Sequence, residues 1–258
     1  MGERLRWRVH RDGTDTGSWN MAMDHALART LEAGCGTVRF YGWVPHTISF
    51  GRNEPAKGLY DTAAAQRERI VFVRRPTGGR AVFHAHEITY SVVAPLRALG
   101  GLPAAYVRIN EGLVKGLRGM GLDVELSNEG TAAAPDAGPC FQLPASGEVV
   151  MGGRKLVGSA QVRVGHALLQ HGSVILRGDQ SILARLTGTG ESDPAPPATV
   201  EGVLGPTTAS LVIDSLAEGL RLALGGTWAE GSYRSEALVA ARRLEDERYG
   251  RETWTWRR

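Results

Sequence analysis

Arg74-Arg75-Pro76-Thr77-Gly78-Gly79-Arg80-Ala81-Val82-Phe83-His84 decides how the chain is read. A strand end, a Gly-Gly turn and a second strand follow one another. Gly78 and Gly79 carry no Cβ, so a ligand can come close to their backbone N–H groups. Arg75 and Arg80 flank the turn as candidates to hold a phosphate or a carbonyl. Taken alone, the stretch reads more simply as a hairpin turn with solvated arginines.

The same alternation extends on both sides. Upstream, Trp7–His10 reads as a strand, and Asp15-Thr16-Gly17-Ser18 as the cap of a helix. Trp19, Met23, Leu27 and Leu31 share one face of that helix, which Gly34 ends. Thr37–Trp43, His46–Gly51, Ile70–Arg75, Ala81–His84 and Ile88–Val93 read as strands, with a short helix at Asp61–Arg69. Downstream, Pro103 opens a helix carrying Tyr106, Ile109, Leu113, Leu117 and Met120. Asp123–Leu126 is a short strand, and Ser127–Ser146 a long Ala/Pro/Gly loop of the kind that carries function. Glu148–Met151, Arg154–Arg163 and Ala167–Leu176 read as antiparallel strands, the first two joined at Gly152-Gly153. Ser181–Leu186, Ala209–Leu224 and Ser235–Tyr249 read as helices. The last is strongly charged and expected to face solvent. The fold class is α+β: a mixed, mostly antiparallel sheet core flanked by helices. One domain over 1–258 is expected, helical from about residue 207.

Of the 258 residues, 42% are hydrophobic, enough for a large core, and 22% are charged. The N-terminus leads into no apolar run, and no stretch is apolar enough to span a bilayer. Two cysteines, Cys35 and Cys140, make no disulfide framework, so a reduced, cytoplasmic setting is expected. A net charge of +3 is too small to argue for nucleic acid and mildly favours acidic protein partners.

Cys140 stands in Pro135-Asp136-Ala137-Gly138-Pro139-Cys140-Phe141, ahead of the hairpin that carries Lys155. A thiol in a polar loop with an ammonium nearby suits acyl transfer through a thioester, because the thiolate is the nucleophile. The plainer alternative is an ordinary free cysteine, the reading given to Cys35, which is assigned to packing. His84 and His86 alternate along an extended segment and so face the same way. That spacing occurs in metal sites, but no further ligand pattern accompanies it, and positioning roles are preferred to a metal. In Gly153-Arg154-Lys155-Leu156-Val157-Gly158-Ser159-Ala160-Gln161, the small residues Gly158, Ser159 and Ala160 leave room for a ligand or another chain. Lys155 by itself would be a solvated edge charge, and Gln170-His171-Gly172 a strand-end network.

Together these segments resemble the cofactor-transferase family of biotin ligases, lipoate ligases and octanoyltransferases of lipoate assembly. Arg-Arg-x-Thr-Gly-Gly and Lys…Gly-Ser-Ala-Gln…Gln-His-Gly are similar to its two signatures. Asn20-Met21-Ala22-Met23-Asp24 and Ser49-Phe50-Gly51-Arg52 add to the likeness. It spans roughly residues 5–180 and implies a biotin/lipoate protein ligase-like fold. Arg80 stands where ATP-using lipoate ligases carry a third glycine. With Cys140-Phe141, it directs the resemblance to the octanoyl-carrier-protein:protein N-octanoyltransferases that have a loop cysteine.

The resemblance implies Cys140 and Lys155 as catalytic residues. Substrate contacts are implied at Arg75, Thr77, Gly78, Gly79, Arg80, His84, Gly158, Ser159, Ala160, Gln161, His171 and Gly172. It implies no cofactor of the enzyme's own: phosphopantetheine arrives on an octanoyl acyl carrier protein. The acceptor it implies is a lysine of a lipoyl domain or of the glycine-cleavage H protein, and a monomer is the default expectation. An apolar tunnel would bury the acyl chain at roughly 0.8 kcal/mol per CH₂. At about 4 Å and an effective dielectric of about 20, the Lys155 ammonium would favour the thiolate by about 4 kcal/mol. An ATP-dependent lipoate ligase, an amidotransferase between proteins and a lipoyl-protein binding module stay open as alternatives.

Overall fold

The computed structural model describes residues 4–127, 147–188 and 196–258. Cys140 lies outside the described residues.

Strand β1 (Arg6–Asp15) leads into helix α1 (Gly17–Arg29), whose first turn is capped by the Thr16 hydroxyl accepting from Trp19 N. Next come β2 (Cys35–Trp43), β3 (Thr47–Phe50), α2 (Thr62–Arg67), β4 (Val71–Arg74), β5 (Val82–His84) and β6 (Glu87–Pro95). Helix α3 (Leu102–Gly119) and β7 (Glu125–Leu126) precede residue 128. After residue 146 come β8 (Val149–Met151), β9 (Arg154–Val164), β10 (Ala167–Ile175), α4 (Ser181–Thr187), α5 (Glu201–Leu204) and α6 (Ala209–Leu224). Strand β11 (Thr227–Glu230), α7 (Ser235–Leu244), a π-helical turn at Glu245–Tyr249 and α8 (Glu252–Thr255) complete it.

The strands form two sheets. The large sheet has the order β11-β1-β2-β6-β10-β9-β8-β7, and the small one β4-β3-β5. Pairing is antiparallel except where β1 joins β2 and β11, and where β3 joins β4. Alternate residues of the large sheet face two different cores. Phe40, Val92 and Leu168 pack with α3 and α6, while Tyr41, Val93 and Leu169 pack with α1 and α7.

Three expectations change. Helix α1 stops at Arg29, short of Gly34, and is buried nearly all round. The C-terminal portion is not wholly helical, because β11 adds an edge strand in parallel with β1. Its four residues show no alternation, so the backbone of β1 and the stacking of Trp228 on Trp7 at 5.3 Å define it. The charged helix from Ser235 is amphipathic: Ala237, Ala241 and Leu244 are buried in the α1 core. Cys35 is buried at the start of β2, as a packing residue would be. No described helix is long and apolar enough to cross a membrane.

Helices α3 and α6 touch backbone to backbone. A Cβ on Gly219 would lie 2.2 Å from the Gly112 carbonyl oxygen and 2.3 Å from the Gly116 nitrogen. The Gly112-x-x-x-Gly116 spacing on α3 is the sequence signal for that crossing. Gly219→Ala is therefore expected to lower stability by about 1–3 kcal/mol through overpacking. An unchanged urea midpoint would show that the helices can separate without cost.

His10 and His25 are held neutral down to about 4, chiefly by burial. Both would take up a proton near 6.5 in the unfolded chain, so unfolding binds protons between those values. Stability is then complete above about pH 6.5 and falls as pH drops toward 4, on the order of 2–3 kcal/mol per histidine. Urea midpoints at pH 7.5 and pH 5 measure the slope, and the double variant His10→Phe/His25→Phe should reduce it.

Candidate active site

The site lies where the small sheet meets the large-sheet face opposite α3. Its floor comes from β9 and β10. Val149 pairs with Val157 and Val150 with Lys155, so β9 carries one extra residue at Leu156. That bulge turns Leu156 and Val157 both into the α3 core and re-aims Lys155 to the other face. Lys155 is not the solvated edge charge that its place at a strand start suggested. It is 3% exposed, and its Nζ donates to Glu148 Oε1 at 2.7 Å. Glu148, itself buried, follows the 128–146 segment by two residues, and its carbonyl accepts from Ser127 N at 2.7 Å. Sequence reading missed Glu148, since a Glu–Lys pair spanning a two-residue hairpin looks like surface charge.

The bulge also sorts the small residues. Ala160 pairs with His171 and Gly158 with Ser173, and these share the face of Lys155. Ser159 and Gln161 lie on the opposite face. The Ser159 hydroxyl meets Asn110 Oδ1 of α3 at 3.2 Å and Tyr90 OH at 2.7 Å. Gln161 pairs with Gln170, whose amide also binds Asn110 and Tyr90. Gly172 serves strand packing, because a Cβ there would lie 2.3 Å from the Gly158 carbonyl oxygen and 2.8 Å from the Tyr90 ring.

His171 is held from behind. Its Nδ1–H donates to Asp24 Oδ2 at 2.9 Å, and its Nε2 accepts from the Thr77 hydroxyl at 2.7 Å. Asp24 is fully buried and also accepts from Arg39 (2.9 Å), Tyr41 (2.8 Å) and Ser91 (2.8 Å). Burial opposes its ionisation. The His171 bond, the Arg39 guanidinium and the Ser91 hydroxyl outweigh it and hold the carboxyl below the ordinary range. The sequence signal for Asp24 is slight: one acid inside an otherwise apolar helix face.

The Thr77-Gly78-Gly79 turn is pinned by Arg75, which donates to the carbonyls of Ser49 (2.9 Å), Gly78 (2.9 Å) and Arg80 (2.7 Å). Arg75 thus holds carbonyls of its own chain. Glu54, another residue sequence reading passed over, accepts from Gly51 N at 2.8 Å and Ala81 N at 2.7 Å. Gly78 and Gly79 are exposed, with φ of 87° at Gly79, while Arg80 is buried. His84 stacks on Trp43 at 3.9 Å and bonds Ser49 (2.8 Å) and Ser173 (3.3 Å). Burial pushes its ring below the usual imidazole range, against the pull of Glu87.

His84 and His86 do not share a face. The chain bends between β5 and β6, leaving His86 exposed beside His46 and Arg177. Among the described residues, no group of three His, Cys, Asp or Glu could hold a metal.

With Lys155, Thr77, His84 and His171 converging on one face, likeness to known proteins becomes informative. The profile described as "Lipoyl protein ligase A/B catalytic domain" matches residues 16–212. The chain belongs to that family. A Kyrpidia tusciae protein named Octanoyltransferase LipM is 37% identical over 98% of this chain and 99% of its own. A namesake from Symbiobacterium thermophilum is 36% identical over 98% of each. Among solved structures, the lipoate protein ligase Ta0514 of T. acidophilum with bound lipoic acid has a TM-score of 0.84. It is 22% identical, covers 98% of this chain and all of its own, and shares the fold.

Asp24→Asn is expected to destabilise the protein by about 3–5 kcal/mol, because it leaves the His171 ring without its charged partner and the buried Arg39 with Asp12 as its one carboxylate. Thermal unfolding measures this, and a loss under 1 kcal/mol would show that the carboxylate is not the hub.

Proposed function

We propose that this chain, an octanoyltransferase of lipoate assembly, works through a thioester on Cys140. The Cys140 thiolate attacks the carbonyl of an octanoyl thioester carried by acyl carrier protein. The new C–S bond forms as the bond to the phosphopantetheine sulfur breaks, and that thiol leaves with a proton. The lysine amine of a lipoyl domain or of the glycine-cleavage H protein then attacks the acyl-Cys140 carbonyl. An amide forms, the C–S bond breaks, and the amine proton returns to the thiolate. No ATP enters, since thioester exchange is near thermoneutral and amide formation is downhill. The enzyme is read as a cytoplasmic monomer.

The observation that carries this reading is the buried Lys155 ammonium, turned by the bulge onto the face where Thr77, His84 and His171 meet. An ammonium there stabilises a thiolate and the oxyanion of each tetrahedral intermediate. Glu148 fixes its position at 2.7 Å, and the absence of side chains beyond Cβ at Gly158 and Ala160 leaves room beside it. The exposed Gly78-Gly79 backbone covers the acyl carbonyl from the small-sheet side.

Intact-mass spectrometry after incubation with octanoyl carrier protein tests the sequence of steps. Wild type should gain an octanoyl adduct that hydroxylamine removes, and Cys140→Ser should gain none. Lys155→Ala should form the adduct about 10²-fold more slowly or worse, the scale of a lost oxyanion donor. Transfer by Cys140→Ser at the wild-type rate would end the covalent reading. Acyl-adenylate formation from ATP and octanoate would favour a ligase instead.

A further inference from the structure

The segment that follows α7 returns to the active-site turn and brings arginines with it. Arg257 donates to the Arg52 carbonyl and, at 3.4 Å, to Asn53 Oδ1. Arg52 N in turn donates to the Thr77 carbonyl at 2.7 Å. Arg248 and Arg257 lie over the ring of Trp254, at 4.7 and 4.2 Å from its centroid. Trp254 is fixed by its own bond to the Arg74 carbonyl at 2.8 Å. Two guanidinium groups, of Arg248 and Arg257, therefore stack on one fixed ring, and the Arg52 backbone joins them to the Thr77–Gly79 turn.

Among the described residues, no carboxylate lies within 4.0 Å of Arg52, Arg248 or Arg257. Some exposed arginines elsewhere have such partners, as Arg185 has Glu68, Arg221 has Glu218 and Arg243 has Glu247, while others such as Arg67, Arg97 and Arg242 have none among the described residues; Arg52, Arg248 and Arg257 differ in lying close enough to act on one another. Glu245, on the same turn as Arg248, is engaged by the Ser18 hydroxyl. The charges act on one another as well. Arg257 is shifted below its ordinary range by burial and then by Arg52, Arg258 and Arg248. Like charges gathered with no carboxylate within 4.0 Å raise the local potential and recruit anions from solution.

We propose that Arg52, Arg248 and Arg257 form the docking face for the donor carrier protein. They would receive its acidic side chains and the phosphodiester at the root of its arm. This rests on the carrier-dependent reading above. The charge pattern selects the donor over the acceptor. The acceptor must present a lysine, a cation that this face repels, whereas the donor brings carboxylates and a phosphate that guanidinium groups bind in bidentate fashion. Arg248 and Arg257 fall outside residues 16–212 and Arg52 within them, so the docking face joins the C-terminal segment to the family's matched region.

The test compares Arg248→Glu/Arg257→Glu with wild type and with Arg248→Lys/Arg257→Lys. Substrates are octanoyl carrier protein and octanoyl-N-acetylcysteamine, a small neutral thioester. Charge reversal should raise KM for the carrier about ten-fold or more at low salt, leave the small thioester unaffected, and remove the salt dependence seen in wild type. The lysine variant should retain most of the carrier affinity. Anisotropy with a labelled carrier gives the same comparison without turnover and should show about ten-fold weaker binding. Unchanged carrier binding overturns the proposal, as does equal loss with the neutral thioester. A raised KM for the acceptor domain alone would assign the face to the acceptor and overturn it too. Failure of wild type to transfer octanoyl from either thioester would instead defeat the thioester mechanism, while the binding arm still decides the docking face.

Discussion

A single buried carboxylate sets the geometry on which the rest depends. Asp24, on α1, accepts from Arg39 and Tyr41 of β2, Ser91 of β6 and His171 of β10. An uncompensated charge at that depth would cost several kcal/mol, so all of these donors must be in place together. The requirement fixes the rotation of α1 against three strands. It also fixes the tautomer of His171, which presents Nε2 to Thr77. The network extends outward through Arg39 to Asn20 and Asp12, and Asp12 is held in turn by Tyr233 beyond β11. The Thr77–Gly79 turn is thus positioned by an electrostatic assembly that reaches from β1 to Tyr233, just ahead of α7. Such pre-organisation means that little need be rearranged when a substrate arrives.

Most strands and helices were legible because alternation and turn residues agree in them. The Gly78-Gly79 turn stood out by its glycines, whereas Lys155 and His171, read alone as an edge charge and part of a strand-end network, were singled out only by the family resemblance. What escaped reading arises from tertiary pairing. The bulge at Leu156 has no local signature, yet it alone puts Lys155 on the working face and Ser159 on the other. A strict alternation carried along β9 puts Lys155 on the face of Ser159. His84 and His86 failed in the opposite way, because a bend between β5 and β6 separated residues that alternation had joined. Strand β11 is invisible in four residues and exists because β1 offers it an edge.

The paired arginines at the end of β4 explain how the site and the C-terminal segment come to share one framework. Arg74 is fully buried and donates to the carbonyls of Gly51 (2.6 Å), Glu54 (2.7 Å) and Thr255 (2.9 Å). Its neighbour Arg75 donates to Ser49, Gly78 and Arg80. Successive residues of a strand point to opposite sides, so one arginine gathers the C-terminal segment and the other gathers the active-site turn. Phe50, Phe72 and Trp256 close the apolar side of the first set, with ring centroids 5.0–5.5 Å apart.

Gly51 lies between the two sets and shows how little slack remains. A Cβ there would stand 1.7 Å from the Gly79 carbonyl oxygen, so the strand and the turn meet at backbone contact. Only glycine permits that approach, and Glu54 holds it by accepting from the amides on both sides, Gly51 and Ala81. Burial raises Glu54 above the usual carboxylate range, against the pull of Arg75 and the two amides. The carboxylate is kept in an unfavourable place by what it clamps. Its two bonds tie the residue that follows β3 to the residue that precedes β5, on either side of the Gly78-Gly79 turn.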